Sequence, residues 1–217
     1  MQYKEKGLTI NLENIILIIV AINAIAYIIQ LTIPGFTEMF LLDSQRLYSE
    51  PWRLITHMFL HSTTNTFHII FNMMWVFFMG SILIQRIGPK RFLAIYLISG
   101  LIAAIIASQF YARALGASGA VMGIIGVCII LVPKQIIYLN FIPVPLWLAG
   151  IAFILIDTLG IFIPNNVANI AHLAGLGCGL IYGVYLKTRK KKATNKIYMK
   201  HHIDEEDLEE YMRSGRI

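Results

Sequence analysis

The chain has 217 residues, 57% of them hydrophobic and only 14% charged, whereas a soluble domain carries roughly 25% charged residues. Cut at its charges, it falls into six long neutral runs, 14–37, 54–85, 92–112, 114–133, 135–156 and 158–186, each as long as the ~20 apolar residues that cross a hydrocarbon core. A soluble globule, a nucleic-acid binder and a disordered chain are excluded together, and the net charge of +6 is the basic excess of a membrane protein's cytoplasmic loops.

Residues 1–13 form a short N-terminal segment, and the first span follows at roughly 14–33. Its apolar run is long for a signal-peptide core and no small-residue cleavage site follows, so it reads as a retained helix. The loop from Pro34 to about Thr64 mixes Phe36, Met39, Phe40, Leu41 and Leu42 with Glu38, Asp43, Arg46 and Glu50, as an interfacial segment does. Trp52 and Arg53 read as an anchor in it, Trp at headgroup level and Arg reaching water or a backbone carbonyl. Further spans are expected at 65–85, 92–112, 118–133, 136–156 and 167–186. The organisation is thus an all-α polytopic membrane protein: 1–13, a six-helix membrane domain over 14–186, and a charged tail over 187–217. Cys128 and Cys178 lie inside apolar runs and read as small hydrophobes.

Alternating the sides of the membrane puts twelve Lys and Arg of the loops and flanks on one side and three, Arg46, Arg53 and Arg113, on the other. The richer side is the cytoplasm, and both termini lie there. The basic cluster after Lys187 is expected near anionic headgroups, within a solvated tail that ends in acidic residues.

Polar groups inside spans are expensive and are functional candidates by default. Four stand out: His68 and Asn72 in the second span, Ser118 opening the fourth and His172 in the sixth. Counted from the basic residue at the cytoplasmic end of each helix, their heights are about 27, 21, 24 and 22 Å, a single layer in a core ~30 Å thick. His68 and Asn72, four apart, share a helix face. In the sixth span Ala168, His172, Gly175, Gly179 and Gly183 form a ridge of small residues, and Gly119, Gly123 and Gly126 form another in the fourth. Such ridges let helices approach closely; if these two pack, Ser118 and His172 face each other.

A serine hydroxyl becomes a nucleophile when a base takes its proton, and histidine is the usual base. Ser118 follows Gly116 and Ala117 at a helix start, where free N–H groups suit a developing oxyanion; His68 and Asn72 can add donors. Asp157, at the outer end of the fifth span, is the nearest carboxylate in sequence, so a Ser–His dyad without a third member is expected. Asn169, one turn before His172, either steadies it or caps the helix. His57 and His61, four apart, have the spacing of a zinc pair, but Met58 stands where a zincin needs Glu. They read as structural residues, and neither metal nor cofactor is expected.

The stretches Pro51-Trp52-Arg53-Leu-Ile-Thr-His57-Met-Phe-Leu-His61, His68-Ile-Ile-Phe-Asn72, Gly116-Ala-Ser118-Gly119 and Ala171-His172-Leu-Ala-Gly175 together resemble the rhomboid family of intramembrane serine proteases, over about residues 14 to 186. The resemblance implies a rhomboid-like bundle of six transmembrane helices with a short central fourth helix and a first loop embedded beside the site. It implies Ser118 as nucleophile, His172 as general base, and His68, Asn72 and the N–H of Ser118 as oxyanion hole. The expected activity is endoproteolysis of transmembrane protein substrates near their outer ends, in a prokaryotic cell membrane, with the site open to the outside. Three features depart from the family's usual pattern: six residues between His61 and His68, Ile84 where many members have Glu, and Met122 in place of an aromatic; activity is expected to survive them. An inactive relative that binds transmembrane helices is the alternative, and a small transporter a further one.

A pocket opening outward beneath the first loop and the loop before the sixth span is expected to admit water. The fifth span and the loop from Asp157 to Asn166 are the expected mobile side.

Overall fold

A computed structural model of the chain describes residues 14–139, 141–163 and 167–201. Segment 1–13 and the acidic end of the tail lie outside the described residues, as do Asn140 and 164–166. The chain is mostly helical. Four helices are long and apolar enough to cross a membrane: α1 (Ile15–Thr32), α4 (Phe67–Ile87), α5 (Pro89–Ala107) and the first part of α8, Asn169–Lys190. Two shorter apolar helices, α6 (Ser118–Leu131) and α7 (Leu146–Phe162), complete the long elements among the described residues.

Local chemistry sets the helix ends. Gly88 turns the chain between α4 and α5 with φ of 80°, and Pro89 opens α5 at a position whose N–H needs no partner. Helix α5 therefore starts three residues before the expected 92 and ends at Ala107, leaving room for a turn and strand β2 (Arg113–Ala114) before α6.

The loop after α1 is built, not loose. It contains α2 (Phe36–Phe40), strand β1 (Leu42–Asp43), α3 (Arg53–Thr56) and a 3₁₀ turn at His57–Phe59. Strand β1 pairs antiparallel with β2, Leu42 opposite Ala114 and Asp43 opposite Arg113, which straps the loop to the segment leading into α6. Arg53 is the loop's hub, 1% exposed. Its Nη1 donates to the carbonyls of Glu38 and Leu41, both at 2.8 Å, and its guanidinium also pairs with Glu50. Of the two roles expected for it, reaching backbone carbonyls is the one observed. Gln30 of α1 clamps the loop's end through its side-chain amide, donating to the His61 carbonyl and accepting from the His61 N–H, each at 2.9 Å.

Helix α6 is the most enclosed long element, buried continuously from Gly119 to Cys128. The two glycine ridges meet as their spacing required. A Cβ on Gly175 would strike the carbonyl oxygen of Gly119, and one on Gly179 that of Gly123. On the other flank Ala103 and Ser99 of α5 close against Gly119 and Gly123.

The fifth long apolar helix lies further along the chain than expected. Residues 136–139 and 142–145, expected to lie in a helix over 136–156, instead pair as antiparallel strands β3 (Ile136–Leu139) and β4 (Ile142–Pro145). Helix α7 runs from Leu146 to Phe162. Pro143 and Pro145 are the physical reason: proline lacks the N–H and clashes with the preceding turn inside a helix, so α7 starts just after the second one. Helix α8 starts at Asn169 and continues beyond the expected span end at 186, through the basic cluster to His201.

Candidate active site

Ser118 is the first residue of α6, reached through Gly116 and Ala117. Gly116 has φ of 128°, open to glycine and strained for other residues. A Cβ there would also lie 2.9 Å from Cε1 and Nε2 of His68, so the missing side chain is what lets the imidazole approach the start of α6. The Gly116 N–H donates to the His57 carbonyl at 2.9 Å, while His57 Nδ1 contacts the Arg53 carbonyl at 3.1 Å. Both His57 and His61 are buried, and burial, outweighing these backbone contacts, pushes the His57 ring down to about 4. His61 is pushed down as well, first by burial and then by the neighbouring His68. His57 thus does structural duty, as expected. The His61 ring lies edge-on to His68, centroids 5.1 Å apart.

Across the ridge contact, His172 Nε2 lies 2.8 Å from Ser118 Oγ. His172 Nδ1 lies 3.0 Å from Asp157 Oδ1. An ionised carboxylate only accepts, so Nδ1 is the donor, and Nε2 is left to accept from the Ser118 hydroxyl. The three side chains form one hydrogen-bonded line from α7 through α8 to α6.

Asp157 corrects the expectation that no carboxylate would share the layer. With α7 ending at Phe162 rather than 156, Asp157 sits five residues inside the helix, roughly 7 Å from its end. His172 sits three residues into α8, roughly 4 to 5 Å from its start. The antiparallel neighbours therefore bring the two to similar depth, and the Asp157 side chain is only 6% exposed. The signal was available in Pro143 and Pro145, which shift the helix toward its C-terminal end.

His68 accepts at Nδ1 from the Ser62 N–H, at 3.3 Å, which leaves Nε2 to carry a proton on the side facing Gly116. Asn72 is 6% exposed and donates one amide hydrogen to the His68 carbonyl at 2.8 Å; its second amide hydrogen remains to be placed. Asn169 opens α8 and packs its amide against Gly160 of α7, so it takes part in the α7–α8 contact.

Ser118, His172, His68, Asn72 and Asp157 all line one cavity of about 890 Å³. Its walls are α4 (Phe67, Phe71, Trp75) and α7 (Phe153, Ile156), with Met122 and Ile125 of α6 on its floor. Ser62, Thr64 and Asn65 from the end of the first loop and Val167 and Ala168 before α8 line it as well, the two segments expected to roof it. Trp75 and Phe153 meet across it edge to face, centroids 5.9 Å apart.

Comparison with known proteins points to one family. A family model described as the Rhomboid domain matches residues 48–189. The chain is 35% identical over 137 residues to RHOMBOID-like protein 1 of Arabidopsis thaliana, covering 62% of this chain and 34% of that protein. It is 28% identical over 178 residues to rhomboid protease GlpG of Serratia proteamaculans, covering 75% and 59% of the two chains. To the putative rhomboid protease YdcA of Bacillus subtilis it is 29% identical over 192 residues, 84% of this chain and 93% of that one. It thus spans about a third of the plant relative's length and about three-fifths of GlpG's. With a family domain matched over most of its length and apolar helices to cross a bilayer, the chain is an integral membrane protein that belongs to the rhomboid family.

Proposed function

We propose that the protein is an intramembrane serine endopeptidase that cuts transmembrane segments of other membrane proteins near their outer ends. Six helices (α1, α4, α5, α6, α7 and α8) cross the bilayer within residues 14–186, with α6 short and central and the first loop partly embedded beside the site. Segments 1–13 and 187–217 lie in the cytoplasm of a prokaryotic cell, and the cavity opens to the outside.

One observation carries the reading: a serine at a helix N-terminus, 2.8 Å from an imidazole nitrogen, inside a cavity large enough for an extended peptide segment. Ser118 Oγ attacks the scissile carbonyl as His172 Nε2 takes its proton. The oxyanion of the tetrahedral intermediate is met by the Ser118 N–H, His68 Nε2–H and the second amide hydrogen of Asn72. His172 then protonates the leaving amine, and water, activated by the same ring, releases the acyl group. A peptide bond inside a helix is shielded by its own turn, so the substrate unwinds locally, which favours Gly, Ala, Ser or Pro near the cut.

The test is labelling of the purified protein with a fluorophosphonate, together with cleavage of a model transmembrane substrate in liposomes. Ser118→Ala, which removes one oxygen, is expected to abolish both while leaving the melting temperature unchanged. Cleavage by Ser118→Ala would end the reading.

A further inference from the structure

We propose that Asp157 is a positioning residue for this hydrolysis, holding the His172 ring in the tautomer and orientation that leave Nε2 free to receive the Ser118 proton. The proposal rests on the reading of Ser118 and His172 as the reacting pair.

Three observations carry it. The first is the hydrogen-bonded line itself, 3.0 Å at Nδ1 and 2.8 Å at Nε2. A ring with one nitrogen committed to a carboxylate has its other nitrogen's role fixed. The second is that Asp157 is the one charged residue in the α7 sequence LWLAGIAFILIDTLGIF. A lone carboxylate on an apolar helix is costly in a bilayer and is retained where it faces a partner inside the bundle. The third is where α7 is buried. Its buried residues are Leu146, Ala149 and Gly150 at one end and Asp157 toward the other. Packing thus accounts for the first three, and of the α7 residues at the cavity, Phe153, Ile156 and Asp157, this carboxylate is the one that is fully buried.

During the reaction the same carboxylate faces the imidazolium that forms when His172 takes the serine proton. In that state it stabilises the developing charge without accepting the proton itself. A tie that merely fastened α7 to α8 would need a hydrogen bond but no charge, and this difference is measurable.

The experiment compares Asp157→Asn, Asp157→Ala and Asp157→Glu with the wild type in liposomes. It measures kcat and KM on the model transmembrane substrate, the second-order rate of fluorophosphonate labelling, and the melting temperature. Asp157→Asn is expected to lower kcat and the labelling rate by about 10²- to 10⁴-fold, with KM within about threefold of wild type and melting unchanged. Asp157→Glu is expected to recover part of that loss. Rates for Asp157→Asn within threefold of wild type, or losses that follow the folded fraction in every variant, would overturn the proposal. If Asp157→Asn does not fold, Asp157→Glu decides: a folded Glu variant faster than Asp157→Ala supports the role, and one no faster refutes it. Ser118→Ala run alongside separates the two levels: if it still reacts the nucleophile is misassigned, whereas if it is silent and Asp157→Asn is fast only the role of Asp157 fails.

Discussion

Ser118 and His172 ride on helices that touch backbone to backbone, whereas Asp157 and Phe153 ride on one that meets its neighbours through side chains. Along the α6–α8 seam, Gly175 and Gly179 lie against the carbonyls of Gly119 and Gly123, leaving no rotamer to adjust. Helix α7 is anchored at its start by Leu146 and Ala149. Near the cavity it is held by the Trp75–Phe153 ring contact, the Asp157–His172 hydrogen bond and the packing of Gly160 on Asn169. Leu155, Leu159 and Phe162 on its other faces are exposed. The difference sets the two sides of the cavity apart: the seam fixes a distance, whereas α7 is held by side chains that have rotamers to adjust. Precision sits where side chains are absent, and adaptability where they are large.

Gly175→Ala tests the seam most severely. The added methyl meets a backbone oxygen that cannot rotate away, so the cost lies at or above the upper end of the ~1–3 kcal/mol typical of overpacking. A large drop in melting temperature is expected, with near-complete loss of labelling at Ser118. An unchanged melting temperature would mean that the seam is looser than its geometry.

Acid comes next in size, because it attacks what the seam leans on. The His57 carbonyl holds the Gly116 N–H, and its ring, buried, binds a proton only near pH 4 instead of 6.5. The unfolded chain takes up that proton near 6.5, so stability is complete above this value. It falls as pH drops toward 4, by at most about 1.4 kcal/mol per pH unit from this group. His61 acts in the same direction. Melting temperatures between neutral pH and pH 4 are expected to decline, and His57→Gln to flatten the decline.

The smallest effect is expected on the α7 side. Phe153→Ala removes a ring pair of roughly 0.5–1.5 kcal/mol and widens the cavity. Melting should fall by a few degrees, with cleavage within about threefold of wild type. Loss of activity as deep as that of Gly175→Ala would erase the contrast between the two sides.

Much of this architecture is legible in the sequence because its signals are local and periodic. The helix bearing His68 and Asn72 runs Phe67–Ile87 where 65–85 is expected, and the ridges of Gly119 and Gly175 dictate which helices meet and at what height. What escapes is long-range or masked by charge. Two-residue strands such as Leu42–Asp43 and Arg113–Ala114 have no period to detect, and their pairing spans some seventy residues. The charges from Lys187 to Lys192 mark the end of the apolar run but not of the helix: Lys and Arg are good helix formers, and α8 runs on through them. Asp157 escapes because a lone charge reads as the end of an apolar span, whereas here it lies within the helix.

The placement of the reacting pair on α6 and α8 also bears on biosynthesis. Chains emerge from the ribosome N-terminus first, and α8 follows all the other long helices described. While α6 waits for it, the carbonyls of Gly119 and Gly123 have no neighbour on that flank and the Ser118 hydroxyl has no base. On the proposed reading, Ser118 gains its base only when α8 docks, so a chain assembled in this order stays inert through its own insertion.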